Sequence, residues 1–254
     1  MLYRPTEHTF LTHTFSECVE NHAGMQTVGT KRAQGLSETT LAQHCKREGG
    51  EMHTLAHGDE HACVVVFRGA VDKLLGEGGA DALYKESTDQ AFDDKFLNVK
   101  QKVVQNKHGR LNNCYAEQAQ APDIPNGRGT VIAFNSAPRM KQLREKLPAL
   151  LGNDVTNLYA ESNLYTDVRQ QKVGIGYHGD TERSVVVGVR LGKAQRPLRF
   201  LWYMNSKVRS QEHVITLNHG DVYAMSWKAT GHDWKRRSIP TLRHGVGRKA
   251  ITKA

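Results

Sequence analysis

Two histidines and one carboxylate stand at positions that suit a metal ion. His178 and Asp180 are separated by one residue at the end of a glycine-spaced, strand-like segment, and His244 follows much later on another predicted strand. Two imidazoles and a carboxylate on neighbouring strand ends form a facial triad, which binds Fe(II) and leaves positions open for a co-substrate and O2. The three residues therefore predict a metal centre of the non-haem iron oxygenase type.

The triplet His-Gly-Asp occurs three times, at residues 57–59, 178–180 and 219–221. The first lies in a polar loop. The third lies between two alternating strands, where its residue types favour a turn, and we expect Asp221 to accept hydrogen bonds from turn amides. Only the second follows a glycine-spaced strand and precedes enough β structure to enclose a site, so we assign the metal to it.

The elements that must position the triad are predicted from hydrophobic pattern and capping residues. Valine-rich runs predict buried strands at 63–67 and 185–189, and short strands with turns continue from about residue 157 to the end. Ser37 predicts the N-cap of a helix that ends before Gly49, and spaced leucines predict a helix over 138–151. This is an α+β pattern. We expect residues 1–129 to form an α/β lobe for substrate recognition and residues 130–254 to form the β core, with one continuous domain as the alternative.

Composition favours a polyanionic partner. The net charge is +9 at pH 7, and lysines and arginines gain affinity for nucleic acid by releasing counterions from phosphates. Residues 103–115 add a basic, amide-rich loop that ends on Tyr115. Such a loop predicts contacts with a phosphate backbone and an aromatic ring on which a base stacks. An ordinary polar hairpin is the alternative. Neither a membrane span nor a signal peptide is indicated, and the four cysteines are scattered. We expect a monomer with free thiols in the cytoplasm or nucleus and no membrane partner.

Several motifs, taken in chain order, resemble the AlkB-like Fe(II)/2-oxoglutarate-dependent dioxygenases. They are Asn163-Leu164-Tyr165, the HGDTE run at 178–182, the GDVYAMS run at 220–226 and His244-Gly245-Val246. The resemblance covers about residues 157–254. It implies a double-stranded β-helix (jelly-roll) core in the C-terminal half, with helices and the N-terminal lobe packed on it. It also implies Fe(II), 2-oxoglutarate and O2, and the hydroxylation or oxidative demethylation of an alkylated nucleobase in DNA or RNA, as in DNA repair.

The resemblance also implies a role for individual residues. The iron ligands would be His178, Asp180 and His244. The residues that bind 2-oxoglutarate would be Asn163, Tyr165 and Arg248. Arg248 begins an R-x-x-x-T run, and its planar fork would meet the distal carboxylate in two hydrogen bonds. The sequence departs from the family pattern in the short gap between His244 and Arg248, in Ala254 where a second arginine is expected, and in the long spacing between Tyr165 and His178.

In the family, the R-x-x-x-T strand closes the co-substrate pocket. A second alignment places this closing strand at 237–243 and makes His232 the third ligand. We prefer His244, because Pro240 would remove a ladder hydrogen bond from that closing strand and His232 stands in a turn-like Gly-His-Asp context. Glu182 and Arg183 either position a ligand or form a surface ion pair.

Two other functions remain open from the sequence. One is the same iron chemistry on a peptide or a small molecule. The other is a non-catalytic, cupin-like protein that binds a metal or ligand without oxidising anything.

Overall fold

The computed structural model describes residues 3–247 of the 254-residue chain. The β-strands are β1 (Phe10–Ser16), β2 (Cys18–Glu20), β3 (Thr27–Gly29), β4 (Glu51–Thr54), β5 (Cys63–Phe67), β6 (Lys95–Asn98), β7 (Val103–Asn106), β8 (Leu111–Ala116), β9 (Val131–Ala133), β10 (Tyr159–Tyr165), β11 (Ile175–His178), β12 (Val186–Leu191), β13 (Leu198–Met204), β14 (Lys207–Val208), β15 (His213–Ile215), β16 (Val222–Met225) and β17 (Thr241–Val246). The α-helices are α1 (Glu38–Glu48), α2 (Ala70–Leu75), α3 (Gly79–Thr88) and α4 (Pro138–Leu151). The predicted α+β class is confirmed.

Most strands belong to two sheets. The larger has eight strands in the order β4-β5-β16-β12-β1-β10-β8-β9, and the smaller has the order β11-β17-β13-β14 with β15 paired to β13. Neighbouring strands are antiparallel, except that β8 and β9 are parallel. Strands from both sides of residue 129 alternate in the larger sheet. A substrate-recognition role for residues 1–129 stays a prediction.

Strand β1 lies inside the larger sheet, between β10 and β12, and is antiparallel to both. Thr12 is the cross-strand partner of Asn163 on one side and of Arg190 on the other. A strand from the N-terminal end of the chain therefore fills the larger sheet between β10 and β12. The strand that was expected to close the co-substrate site begins at Arg248, which lies outside the described residues.

The larger sheet is buried on both faces, because the helices cover one face and the smaller sheet covers the other. On β5, Val65 and Phe67 pack into the core beneath the helices, whereas Val64 and Val66 pack into the core between the sheets. Burial on both faces explains why the sequence here is a continuous valine run rather than an alternation of apolar and polar residues.

The predicted helix ends are confirmed at α1. The Ser37 side chain accepts a hydrogen bond from the Thr40 amide at 3.0 Å, and Gly49 ends the helix in the left-handed conformation. The apolar side of the helix packs Leu41 and Cys45 onto the larger sheet. Helix α4 likewise begins and ends where the leucine spacing predicts.

Within residues 3–247, no helix is both long enough and apolar enough to cross a membrane. The four cysteines are each buried and unpaired.

Candidate metal centre

The pairing of β11 with β17 brings two predicted ligands together. His178 and His244 are direct cross-strand partners, and their ring centroids are 4.4 Å apart. Asp180 follows β11 and is fixed by its amide, which donates to the carbonyl oxygen of Thr230 at 2.9 Å. One ligand atom from each of the three residues lies within 4.8 Å of the others. The structure thus assembles the three residues that the sequence analysis selected.

The middle residue of this His-x-Asp run, Gly179, is packed too closely to carry a side chain. A Cβ atom there would lie 2.2 Å from the carbonyl oxygen of Gly231 and 2.6 Å from the Trp234 side chain. Only a residue without a side chain lets the segment between His178 and Asp180 approach the 230–234 turn this closely. The requirement is steric, because the backbone of Gly179 is not left-handed.

Both histidines of the cluster turn a ring nitrogen toward the Asp180 carboxylate. His178 Nδ1 lies 2.9 Å from the carbonyl oxygen of Gly176, which only accepts, so Nδ1 holds the proton and Nε2 faces Asp180 Oδ1 at 3.5 Å. His244 Nε2 lies 3.8 Å from Asp180 Oδ2. Burial lowers the pKa of His244 to about 4, although Asp180 acts in the opposite direction. At neutral pH His244 is therefore an uncharged imidazole with a lone pair to donate.

Arg183 provides the positive charge beside Asp180. It is 4% exposed and pairs with Glu161 at 2.7 Å, with Glu182 at 2.9 Å and with Asp180 at 3.9 Å. Burial alone would lower the pKa of Arg183, but the three carboxylates raise it well above its ordinary value. Burial would likewise raise the pKa of Asp180, whereas His244 and Arg183 hold it well below its usual range. The surface ion pair considered for Arg183 is wrong.

The cluster opens on a cavity of about 520 Å³. Alternate residues of β10 point into it, because side chains of a strand alternate between the faces of a sheet. These residues are Glu161, Asn163 and Tyr165. Asn163 and Tyr165 therefore line the same cavity as the cluster, and their co-substrate role stays a prediction. Glu161 was not predicted as a site residue, although the same two-residue period identifies it.

Arg110 also lines the cavity and was not recognised as a site residue. Its Nε donates to the side-chain oxygen of Asn163, and it lies just before β8, the strand that pairs with β10. The sequence placed Arg110 in a basic loop, but only the register of these strands brings it to Asn163. The predicted co-substrate residue Arg248 lies outside the described residues.

Tyr223 forms part of the cavity wall opposite the smaller sheet. It is the cross-strand partner of Gly188, and a Cβ atom on Gly188 would lie 1.9 Å from Tyr223 Cζ. The glycine in the valine-rich strand β12 therefore makes room for an aromatic ring inside the cavity.

The competing histidines lie elsewhere. His232 stacks on Trp227 with ring centroids 4.2 Å apart and is not part of the cluster. His219 Nδ1 accepts from the Gly192 amide at 2.8 Å. Asp221 accepts from the Asn218 amide at 2.8 Å, which confirms its predicted turn role.

A groove of about 600 Å³ adjoins the cavity, since His22 and Arg110 line both. The basic loop of residues 107–110 forms one side of this groove. Lys107 is held inward by the side-chain oxygens of Asn21, at 2.6 Å, and Asn112, at 3.0 Å. Tyr115 is fully buried in the core, so its predicted role as a base-stacking aromatic is wrong.

The chain is similar to a protein of viral origin. No family model matches the chain. A protein of Acanthamoeba polyphaga mimivirus, described as uncharacterized protein R156, is 34% identical over 250 residues, which cover 93% of this chain and 95% of the viral protein. Identity over nearly the whole of both chains shows common family membership.

Proposed function

We propose that this chain, which belongs to the same family as the mimivirus protein R156, is an Fe(II)- and 2-oxoglutarate-dependent dioxygenase with an AlkB-like double-stranded β-helix core. Its substrate is an alkylated or methylated nucleobase in nucleic acid. The observation that carries the proposal is the convergence of His178, Asp180 and His244 on the wall of a cavity. Two facing antiparallel sheets with the cluster between them are compatible with a jelly roll.

The donor set fits Fe(II). Two imidazole nitrogens and one carboxylate oxygen are the ligands of the facial triad. Metal–ligand bonds of about 2.1 Å place neighbouring ligand atoms about 3 Å apart. Asp180 Oδ1 lies 3.5 Å from His178 Nε2, Asp180 Oδ2 lies 3.8 Å from His244 Nε2, and one ligand atom from each residue lies within 4.8 Å of the others. The three side chains would therefore have to move closer together to hold the ion. When bound, the iron with 2-oxoglutarate and O2 supplies the oxidation of a C–H bond to an alcohol, with release of succinate and CO2.

The chain's own residues prepare this chemistry. Arg183 keeps Asp180 ionised, and the hydrogen bond to Gly176 orients His178. Asn163 and Tyr165 offer polar groups to the co-substrate at the side of the cavity away from the smaller sheet. Apolar side chains limit the access of water to the reacting centre. They are Val186, Leu198, Met225 and Val246.

Charge and shape support a nucleic-acid substrate. The net charge is +9, and the groove beside the cavity carries Lys107 and the stacked pair His22–Phe96, whose ring centroids are 3.7 Å apart. A nucleobase must leave its stack to reach a buried cavity, and basic side chains beside the entrance hold the backbone while it does so. The groove and the cavity give one continuous path for this.

The proposal is tested by turnover on three substrate classes. We would supply Fe(II), 2-oxoglutarate and O2 together with one of three substrate classes, which are methylated oligonucleotides, methylated peptides and methylated small molecules. Succinate and the mass of the product would be measured. Asp180→Ala should abolish product. Asp59→Ala, which alters the exposed first His-Gly-Asp triplet, is the matched control and should retain it.

Product from the methylated oligonucleotide alone is the expected result. Product from a peptide alone would keep the iron chemistry and replace the substrate. Absence of succinate in every mixture, with metal bound, would favour the cupin-like alternative.

A further inference from the structure

One side of the cavity gathers hydrogen-bond donors that the metal cluster does not use. Thr12 on β1 is the cross-strand partner of Asn163 on β10, and Tyr165 lies two residues further along the same face. Arg110 joins them from the residue just before β8. Four donors, from β1, from β10 and from the loop that leads into β8, therefore line this side of the cavity.

Asn163 fixes the orientation of Arg110. Its side-chain oxygen accepts from Arg110 Nε and from Asn112 Nδ2, the latter at 2.8 Å. Within residues 3–247, Asn163 Nδ2 and the Tyr165 hydroxyl make no hydrogen bond, and the terminal nitrogens of Arg110 make none either. The unused donors of three cavity-lining residues are thus available to an anion.

Of the cations near the cavity that lie within residues 3–247, Arg110 is the one available to an anion. Arg183 is already paired with carboxylates, and Lys235 is exposed at the rim. Arg190 does not line the cavity; its guanidinium lies 3.4 Å above the Phe10 ring and donates to backbone carbonyls. Arg110 forms no ion pair with a carboxylate in the described part of the chain, and it is held in place by a residue of the cavity wall.

We infer that Arg110, oriented by Asn163, binds the distal carboxylate of 2-oxoglutarate, the role that the sequence analysis gave to Arg248. The inference rests on the proposed function, because its ligand is the co-substrate of that reaction. A guanidinium whose Nε is already hydrogen-bonded still has N–H donors on both terminal nitrogens, and these can donate to a carboxylate. The keto-acid end of 2-oxoglutarate would face the metal cluster, so its second carboxylate needs a cation on the cavity wall.

A backbone phosphate is the other anion within reach, because Arg110 also lines the outer groove. The anchoring hydrogen bond comes from inside the cavity, from a β10 residue of the same face as Glu161 and Tyr165. That anchor favours the carboxylate of a small ligand over the phosphate of a strand in the groove.

The test is calorimetric binding to Mn(II)-loaded protein without O2. The probes are 2-oxoglutarate and 2-oxopentanoate, which keeps the keto acid and the chain length but replaces the distal carboxylate with a methyl group. The variants are Arg110→Ala, Arg110→Lys and Arg248→Ala. Arg128→Ala is the control, since this exposed arginine bonds Gln120 away from the cavity. Thermal unfolding checks that each variant is folded.

Arg110→Ala should weaken 2-oxoglutarate binding roughly 30-fold or more, as expected when one partner of an ion pair is removed. Its affinity for 2-oxopentanoate should change less than about threefold, and Arg110→Lys should recover only part of the loss. Equal loss for both probes, or a selective loss in Arg248→Ala alone, would overturn the assignment. So would unchanged 2-oxoglutarate binding with weaker oligonucleotide binding, which would assign Arg110 to phosphate. Wild-type protein that binds metal but not 2-oxoglutarate would refute the proposed function itself.

Discussion

Arg183 is expected to stabilise the fold strongly because it neutralises carboxylates in the interior. Its guanidinium and the carboxylate of Glu161 are 2.7 Å apart, and their side chains are 5% and 6% exposed. In Arg183→Met, the hydrogen-bond donor left to the Glu161 carboxylate among the described residues would be Asn112 Nδ2, at 3.2 Å. Removing one partner of a buried pair costs about 3–5 kcal/mol, because the other charge stays buried and unpaired. We expect a loss of this size in the free energy of unfolding.

A double-mutant cycle measures whether that cost comes from the pair. Urea unfolding at pH 7 with chelator present would compare Arg183→Met, Glu161→Gln and the double variant. Because Glu161→Gln removes the unpaired charge, the double variant should lose about 2–3 kcal/mol less than the two single losses combined. Arg169→Met is the matched control: its pair with Asp167 is at the surface, so stability should not change measurably. Additive losses, or a loss below about 1 kcal/mol in Arg183→Met, would refute this account of the buried pair.

Three further predictions concern the sheet interior and the cavity. Burial lowers the pKa of His13 from 6.5 to about 3, so the unfolded chain takes up a proton first as pH falls. This proton uptake by the unfolded chain should lower the free energy of unfolding by about 2–3 kcal/mol between pH 7 and pH 4.5, and His13→Gln should flatten that part of the stability–pH curve. Burial, reinforced by Glu182, raises the pKa of Glu20 from 4.5 to about 7, so stability should fall as pH rises between these values. Glu20→Gln should remove this fall in urea unfolding at pH 5 and pH 8; an unchanged fall would contradict it. Gly188→Ala should lose about 1–3 kcal/mol in thermal unfolding, because its Cβ displaces Tyr223, and a neutral result would show that the ring moves freely.

The parts of the fold that depend on local sequence were predictable. Ser37 and Gly49 mark the ends of α1, and the valine run at 63–67 becomes β5. The His-Gly-Asp run at 178–180 was separable from its two copies because only it follows a glycine-spaced strand. The structure places His244, and not His232, beside that run.

Strand β1 was missed for a physical reason. Its side chains toward the helices include His13, which hydrogen-bonds Ser87 and Ser162, and its side chains toward the cavity include Thr12. The polar side chains of this strand are buried because distant parts of the chain supply their hydrogen-bond partners. Its sequence therefore lacks the run of apolar residues that predicts a buried strand. Arg110 was not recognised as a site residue for a related reason, because its contact with Asn163 depends on the register of paired strands.

The metal cluster is tested most directly by anaerobic titration of the protein with Fe(II) and 2-oxoglutarate while recording the visible absorption of the iron–keto-acid chelate. The wild type and His232→Ala should develop this band, since His232 stacks on Trp227 outside the cluster. His244→Ala should not, because it removes one of the three ligands. A band that survives His244→Ala and disappears in His232→Ala, or no band in metal-loaded wild type, would contradict the proposed centre.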